Sequence, residues 1–421
     1  MASHVKNIEN KTISSPIDIQ ITSEIAKLKC VLLRRPANEL NNLTPEMLDQ
    51  LLFDDIPFLE NAQLEHDAFA QTLEDLGVNV VYLEKLVGDV LSDKALNIEF
   101  IHRFLKVSNI TEPKLINALT EYLSDYSGQT LCQKLMAGLK KTELDYYDTS
   151  LSGQVNVTDL FWLQPIPNLY FTRDPATSFG NMISLNKMST KTRQRESLFI
   201  ESIFKHHPQY KHNKLLDMNN AKASIEGGDI LVLDETTLAI GVSQRTDTQA
   251  IENLCQELFY NLDYQNHHKI KKVLAFHIPS SRAFMHLDTV LTQVDANKLI
   301  MHQGVAEETK VYKLTPSKHK GLTCRLLTGS VESILSAELD KDIQIIYCGG
   351  RDSITGSREQ WSDGANTLAV APGEVLVYQR NQKTNQILEN FGIKVHKIPC
   401  SELSRGRGGP RCMSMPLVRS I

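Results

Sequence analysis

The sequence predicts a mixed α/β fold that contains a helical insertion, and two patterns support this prediction. Segments typical of short strands and of amphipathic helices alternate near the start of the chain and again after residue 145. Between about residues 84 and 140, apolar residues recur only at helical spacing, with no strand pattern between the helices. Alternating strands and helices indicate an α/β protein, and the strand-free block indicates an insertion.

The elements follow in order along the chain. KCVLLRRP (29–36) is typical of a strand, LENAQLEHDAFAQTLEDLG of a helix that ends at Gly77, and VNVVYL of a second strand. Within the insertion, TEPKLINALTEYLSD is typical of an amphipathic helix. The residues that share its apolar face are Leu115, Ile116, Leu119, Tyr122 and Leu123.

The second half of the chain predicts a repeated architecture. ASIEGGDILVLDETTLAIG is typical of two strands around a turn, and Ile251, Leu254, Cys255 and Leu258 share one face of the helix that follows. A similar order recurs near KTRQRESLFIESIFKHH, QWSDGANTLAVAPGEVLVYQR and NQKTNQILENFGIKVHKIP. Four or five such units indicate internal repetition without repeated residues. The pattern does not distinguish units that form an open sheet from units that form a ring.

The composition indicates which class of partner the protein binds and in which compartment it works. The 421 residues are 41% apolar, and the net charge of −5 is spread over both signs, which favours a small-molecule partner over nucleic acid. Seven cysteines without a CxxC pair argue against a disulfide framework. The polar N-terminus lacks a signal-peptide pattern, and no run approaches the roughly 18 apolar residues of a membrane span. We expect a cytoplasmic protein that does not bind membranes.

One candidate nucleophile is Cys412, in SRGRGGPRCMSMP (404–416). Nearby cations and glycine N–H groups favour the thiolate, which is the reactive form of cysteine. The alternative is a buried apolar cysteine that takes no part in a reaction.

His286 and Asp288, in FMHLDTVLTQVD, lie two residues apart and would share one face of a strand. They are either an acid/base pair or a core histidine beside an unrelated acid.

Further acids stand in EGGD and NLYFTRDP. Glu226 and Asp229 flank two glycines, which predicts either site carboxylates or a tight turn with solvated acids. Asn168, Arg173 and Asp174 precede Pro175, a pattern that also fits an ordinary strand end. Together these segments supply a thiol, a histidine and several carboxylates near strand ends, where sites are commonly built.

NLYFTRDP, EGGD, MHLDTV and SRGRGGPRCMSMPL together resemble the arginine deiminase family, within the guanidino-group-modifying superfamily. The resemblance extends to VLLRRPANELNNLTPE, LLFDDIPFLENAQLEHDAF and EQWSDGANTLA, and so covers nearly the whole chain. It implies one catalytic domain over residues 1–421, a five-bladed α/β propeller of pseudo-fivefold ββαβ units interrupted by the insertion at about 84–140. It also implies a dimer or tetramer and no cofactor; the remaining cysteines and histidines show no metal-ligand spacing.

The resemblance also implies hydrolysis of free L-arginine to L-citrulline and ammonia through a covalent Cys thiouronium. It assigns Cys412 as nucleophile, His286 as general acid and base, and Glu226 as the carboxylate that orients His286. Asp174 and Asp288 would bind the guanidinium, a planar cation that two carboxylates hold through charge-assisted bonds. The residues implied to bind the rest of the substrate are Asn168, Phe171, Arg193, Arg245, Gly406 and Arg407. The three arginines would bind the α-carboxylate.

Three alternatives remain open. Agmatine, a methylated arginine or an arginine within a peptide could be the substrate, although three arginines favour a free α-carboxylate. A cysteine peptidase also needs a thiol and a histidine, but carboxylates around the nucleophile oppose an oxyanion. A non-catalytic arginine-binding protein is the third alternative, and it gives no reason for Cys412, His286 and Glu226 to occur together.

Overall fold

The computed structural model describes residues 15–147, 151, 155 and 159–420. Its strands are β1 (Leu28–Leu33), β2 (Asn79–Tyr82), β3 (Leu139–Lys140), β4 (Phe161–Leu163), β5 (Ala176–Phe179), β6 (Met182–Leu185), β7 (Lys214–Asp217), β8 (Ile230–Asp234), β9 (Thr237–Val242), β10 (Lys272–His277), β11 (Leu291–Asp295), β12 (Lys298–Met301), β13 (Lys310–Pro316), β14 (Leu322–Leu326), β15 (Gln344–Tyr347), β16 (Leu368–Ala371), β17 (Glu374–Tyr378), β18 (Lys394–Ile398) and β19 (Met415–Arg419). Its α-helices are α1 (Asn38–Asn41), α2 (Leu48–Leu51), α3 (Leu59–Asp75), α4 (Leu83–Leu91), α5 (Lys94–Val107), α6 (Pro113–Ser124), α7 (Gly128–Ala137), α8 (Glu196–His206), α9 (Thr248–Tyr260), α10 (Leu262–Gln265), α11 (Leu287–Val290), α12 (Gln303–Glu308), α13 (Val331–Leu339), α14 (Ser353–Trp361) and α15 (Gln382–Asn390). The predicted polar N-terminus falls largely outside the described residues.

Five sheets repeat one topology. In each of them a middle strand pairs antiparallel with one neighbour and parallel with another that follows after one or more helices. The interior strands with these two partners are β1, β6, β9, β12 and β17. A parallel pair needs a crossover connection, and helices supply it here. In the first sheet the antiparallel partner of β1 is β19, so the C-terminal strand completes the N-terminal unit.

The helices named in the next sentences are confirmed, and each packs through its apolar face. Helix α9 buries Ile251, Leu254, Cys255 and Leu258 on one face. The block that the sequence predicts to be a helical insertion consists of helices α4 to α7. In α6 the buried face consists of Leu115, Leu119 and Leu123, whereas Ile116 and Tyr122 are partly exposed. The first strand is shorter than predicted, because it ends before Arg34 and Arg35 turn away to bind acidic partners.

All seven cysteines, which lie within the described range, are free thiols. Cys324 alone among them is exposed. Within the part of the chain that the structure describes, no helix is long and apolar enough to cross a membrane.

Candidate active site

Segments from several sheets meet around one narrow cavity. The residues that line it are Leu52, Asn168, Phe171, Asp174, Arg193, Arg245, Met285, His286, Gly406, Arg407 and Cys412. This set includes every predicted site residue except Glu226 and Asp288, and the side chains of those two contact His286 and Cys412. The tertiary structure therefore brings together predicted site residues that lie up to 244 positions apart, from Asn168 to Cys412.

The EGGD segment lies buried behind this cavity. Glu226 precedes a single 3-10 turn, Gly227–Asp229, that leads into β8. Glu226 and Asp229 are both fully buried, so the alternative of a turn with solvated acids is wrong. A Cβ atom on Gly228 would lie 2.7 Å from the ring of His286. Glycine is required there because the histidine ring packs directly on the backbone.

His286 does not lie on a strand, which corrects the sequence prediction for the His286 and Asp288 pair. It is the residue before α11, and Asp288 lies within the first turn of that helix. Asp229 causes this local structure, since its Oδ1 atom accepts a hydrogen bond from the Leu287 N–H at 2.8 Å. The carboxylate satisfies a backbone donor at the start of the helix, as a capping side chain does.

Two carboxylates face the imidazole of His286. Its Nε2 atom lies 2.8 Å from Oε2 of Glu226, and its Nδ1 atom lies 3.9 Å from Oδ1 of Asp174. Burial lowers the pKa of His286, but Asp174 and Glu226 outweigh it and raise the pKa to about 9. Burial raises the pKa of Glu226, but the hydrogen bond to His286 outweighs it and the pKa falls to about 2. At neutral pH the pair is therefore an imidazolium and a carboxylate.

The Cys412 thiol is buried beside Asp288. Its Sγ atom lies 3.6 Å from Oδ2 of Asp288 and 3.1 Å from Nδ2 of Asn366. Burial, followed by the charges of Asp288, Asp174 and Asp363, raises the pKa of the thiol well above its usual range. The acids and burial therefore outweigh the cations that the sequence places near Cys412. The nearby arginines are themselves paired with acids, so little positive charge reaches the sulfur.

Arg193 and Arg407 are paired within the protein. Arg193 binds Glu196 through Nε and Nη2 at 2.9 and 2.8 Å, and its Nη1 lies 2.8 Å from Oδ2 of Asp174. The Nη1 atom of Arg407 lies 3.2 Å from Oδ2 of Asp54. Arg193 thus occupies one oxygen of a carboxylate that we expect to bind substrate.

Arg245 is less completely paired. Its Nη2 atom lies 3.7 Å from Sδ of Met285, and its buried Nη1 atom has no hydrogen-bond partner. A buried donor without a partner is costly, because water no longer solvates it. Arg245 is therefore the arginine of the cavity that is best prepared to bind an incoming anion.

Comparison with known proteins shows which family the chain belongs to. The family model described as arginine deiminase matches residues 49–419. The chain belongs to the arginine deiminase family.

The family's members match the chain over nearly its full length. An arginine deiminase of Clostridium perfringens is 51% identical over 409 residues, which covers 95% of this chain and 98% of that protein. An arginine deiminase of Bacillus cytotoxicus is 49% identical over 412 residues, with the same coverage. The family that the motifs indicated is thereby confirmed.

Solved structures share the fold at low sequence identity. SxtG, an amidinotransferase from Microseira wollei, matches with a TM-score of 0.55 and 13% identity, covering 96% of this chain and 98% of that one. DDAH from Pseudomonas aeruginosa, complexed with citrulline, matches with a TM-score of 0.50 and 15% identity, covering 92% and 99%. These likenesses confirm the mixed α/β fold.

Sequence reasoning missed the residues behind Asp288. Arg411 binds Oδ2 of Asp288 through Nη1 at 2.7 Å and binds Glu24 through Nε and Nη2, both at 3.0 Å. Burial opposes the charge of Glu24, but Arg411 outweighs it and the pKa of Glu24 falls to about 2. Glu24 lies 387 residues from Arg411 and stands in no distinctive motif, so the sequence carried no signal for it.

Asn366 was also missed, although a signal for it existed. Its Oδ1 atom accepts hydrogen bonds from the N–H groups of Arg411 and Cys412, and its Nδ2 atom donates to the Cys412 sulfur. It belongs to EQWSDGANTLA, a segment that resembles the family but to which we assigned no role. One asparagine side chain therefore fixes both the backbone and the sulfur of Cys412.

Asp174, Glu226 and His286 are close enough to hold a metal ion. Each offers a ligand atom, and these atoms lie within 4.8 Å of one another. The Arg193 guanidinium, however, lies 2.8 Å from Asp174 and 3.7 Å from Glu226. A metal cation held by these three groups would lie against the Arg193 guanidinium, and the like charges would repel each other.

Proposed function

We propose that the chain hydrolyses free L-arginine to L-citrulline and ammonia, as a hydrolase of C–N bonds in linear amidines. The observation that carries the proposal is the arrangement of one cysteine, one imidazolium and two carboxylates, Asp174 and Asp288, around a single cavity. Carboxylates on two sides suit a planar cation with five N–H donors. The names of the relatives, and the citrulline bound by the DDAH of similar fold, support the same reaction.

When the substrate cation binds, the Cys412 thiol releases its proton to solvent, because His286 is already an imidazolium and cannot accept it. In the first half-reaction the Cys412 thiolate then attacks the guanidinium carbon, and a carbon–sulfur bond forms. His286, which is an imidazolium, gives its proton to the departing nitrogen, and ammonia leaves as the carbon–nitrogen bond breaks. A positively charged thiouronium remains on Cys412. Glu226 holds the imidazole through the 2.8 Å contact to Nε2, which leaves Nδ1 directed toward Asp174 and the cavity.

In the second half-reaction His286 is neutral and accepts a proton from water. The resulting hydroxide adds to the same carbon, the carbon–sulfur bond breaks, and the thiolate leaves as citrulline forms. The proton left on the product oxygen is lost and is taken up by the released ammonia. His286 has then regained its proton, and the thiolate takes up a proton from solvent as citrulline leaves, so atoms and charge balance over the cycle.

The amino-acid head of the substrate would bind at the arginine side of the cavity. Arg407, Arg245 and Arg193 would bind the α-carboxylate, and Phe171 would contact the aliphatic stem. Asn168 is anchored, since its Nδ2 atom donates to a backbone oxygen at 2.6 Å. A Cβ atom on Gly406 would collide with the Tyr170 hydroxyl, so only glycine lets this backbone lie against the aromatic wall of the cavity.

Replacement of Arg407 by glutamine is expected to lower kcat/KM for L-arginine by about 100-fold, the cost of a charge-assisted bond to the substrate carboxylate. Agmatine has no carboxylate, so the same change should have little effect on it. If agmatine is a substrate, its kcat/KM should change less than about threefold; if it is an inhibitor, its inhibition constant should change less than about threefold. Arg405→Gln is the matched control, because Arg405 is more exposed and pairs with Asp55. Equal losses for both guanidines would contradict the assignment of Arg407.

Binding of a guanidinium is expected to lower the apparent pKa of Cys412. The thiol pKa is raised by burial and by the charges of Asp288 and Asp174, and a cation placed between these acids stabilises the thiolate. Thiolate ultraviolet absorbance titrated with and without an unreactive guanidine measures this shift, with Cys412→Ala to subtract the other cysteines. Identical apparent pKa values would contradict the hypothesis.

Mass spectrometry of protein quenched during turnover tests the proposed function itself. The peptide that carries Cys412 should gain the mass of L-arginine less ammonia, and this adduct should be absent from Cys412→Ala. An adduct on the nearby Cys400, or ammonia release without any adduct on Cys412, would contradict the covalent route.

We also propose a finer architecture. The five sheets of common topology, closed by the pairing of β19 with β1, fit five blades of a propeller around the site. We propose that residues 1–421 form one catalytic domain, that helices α4–α7 are its insertion, and that the protein is a cytoplasmic dimer or tetramer. The free thiols support a reducing compartment.

A further inference from the structure

The side-chain amide of Asn366 contacts the reacting sulfur, and the proposed reaction gives it no chemical role. Its Nδ2 atom donates to Sγ of Cys412 at 3.1 Å and to the backbone oxygen of Asp288 at 3.0 Å. Its Oδ1 atom accepts the N–H groups of Arg411 and Cys412 at 3.1 and 3.2 Å. Asn366 is 1% exposed, so water does not compete for these bonds.

These partners fix which end of the amide faces the sulfur. Backbone N–H groups can only donate and a backbone oxygen can only accept, so Oδ1 faces the two N–H groups and Nδ2 faces the Asp288 oxygen. A flipped amide would set its donors against the two backbone donors. The second N–H of Nδ2 is therefore directed at the sulfur of Cys412.

The backbone on both sides of Asn366 is anchored to β11. Thr292 in that strand donates its hydroxyl to the Ala365 oxygen at 2.7 Å, and its Oγ1 atom also lies 2.7 Å from Oγ1 of Thr367. The N–H of Asn366 itself donates to the Asp363 oxygen at 3.0 Å. The amide is thus held in place by its own segment, and a preorganised donor needs no rearrangement when charge develops on its partner.

The surroundings of Cys412 oppose its ionisation, so a donor to the sulfur has a chemical effect. Burial and the charges of Asp288, Asp174 and Asp363 raise the pKa of the thiol, and a backbone hydrogen bond from Gly409 acts in the opposite direction. Hydrogen bonds to an ionised acceptor are about twice as strong as those between neutral groups. An N–H donated to the sulfur therefore stabilises the thiolate more than the thiol.

We propose that Asn366 is a catalytic residue that stabilises the Cys412 thiolate by donating an N–H group to the sulfur. The inference rests on the proposed function, because the thiolate matters for turnover only if Cys412 is the nucleophile. The sulfur carries negative charge twice in that reaction, as the nucleophile of the first half-reaction and as the leaving group of the second. One fixed donor serves both steps.

Alkylation of Cys412 by iodoacetamide tests this role without substrate, because the thiolate is the form that reacts. Loss of a hydrogen bond to a charged sulfur should lower the thiolate fraction about 10- to 100-fold in Asn366→Ala. The alkylation rate should fall less, about three- to tenfold, since a more basic thiolate is also more nucleophilic. Mass spectrometry of the Cys412 peptide at neutral pH measures this rate, and the exposed Cys324 is the internal reference.

A role confined to holding the loop predicts the opposite result. Removal of the side chain would then loosen the loop, expose the buried sulfur and speed alkylation. Asn366→Asp separates the two roles, because its Oδ1 atom still accepts the N–H groups of Arg411 and Cys412, and these bonds favour the ionised carboxyl. An anionic oxygen then faces the sulfur, so alkylation should be slower than in Asn366→Ala.

Asn213→Ala is the matched control. The Oδ1 atom of Asn213 accepts the N–H of Ile19, and its Nδ2 atom donates to the oxygens of Ile17 and Tyr210, all at 2.9 Å. This change removes a similar set of amide bonds, all of them to the backbone. Alkylation of Cys412 should stay within about twofold of the parent, because distant sites act independently.

Turnover connects the effect to catalysis, and kcat/KM for L-arginine should fall at least about tenfold in Asn366→Ala. Equal or faster alkylation of Cys412 in this variant, alkylation of Asn366→Asp at the parent rate, or slower alkylation with unchanged kcat/KM would each overturn the inference. If the parent forms no citrulline, the proposed function fails, while the alkylation rates still show whether Asn366 stabilises the thiolate.

Discussion

Cys412→Ala is expected to abolish citrulline formation, with a loss on the order of 10⁶-fold, as for other enzymes that lose a covalent nucleophile. Cys412 is the cysteine that lines the central cavity, 3.6 Å from Asp288. Alanine leaves Asp174 and Asp288 in place, so the variant should still bind L-arginine. Ammonia release measures the loss of turnover, and calorimetric titration with L-arginine measures the retained binding.

Cys348→Ala is the matched control for this experiment. Cys348 is equally buried, but it contacts the Thr384 hydroxyl in another part of the fold. The control should lose stability through its small cavity and retain turnover. Measurable turnover by Cys412→Ala above that of a blank would remove the thiol from the mechanism.

Asp288→Asn is expected to lower kcat/KM by about 10³-fold and, in the same protein, to lower the pKa of the Cys412 thiol. Activity should fall because one of the two anions proposed to bind the guanidinium is lost, and because Arg411 keeps only Glu24 as a charged partner. The thiol pKa falls because, after burial, Asp288 is the largest influence that raises it. Steady-state kinetics and the thiolate titration measure the two effects.

The two changes have opposite consequences for activity, because a lower thiol pKa by itself would favour the reactive thiolate. If Asp288 only hindered ionisation of the thiol, its removal would raise activity. Asp295→Asn controls for loss of an aspartate, because Asp295 lies at the end of β11 and pairs with Lys298. A variant with a lower thiol pKa and normal kcat/KM would show that Asp288 does not bind the guanidinium.

Local sequence patterns predicted several secondary-structure elements and site residues of this protein. The helical spacing around Leu115, Leu119 and Leu123 predicted α6, because an apolar stripe must be buried whatever its partner. Motif by motif, the resemblance placed Cys412, His286 and Asp174 at one site, and the fold places all three on one cavity. The strand predicted for His286 and Asp288 was wrong, because a hydrogen bond from Leu287 to the distant Asp229 starts a helix there.

The sequence by itself determined the alternating α/β units, the helical insertion, the family and the candidate nucleophile with its histidine and acids. Only the tertiary structure decided which charges cancel. Arg411 pairs with both Asp288 and Glu24, Arg193 pairs with Asp174, and Arg407 pairs with Asp54. Electrostatic interactions depend on distance in space and on burial, and neither follows from separation along the chain. For this reason the pairing of each arginine with its acids emerged only from the fold.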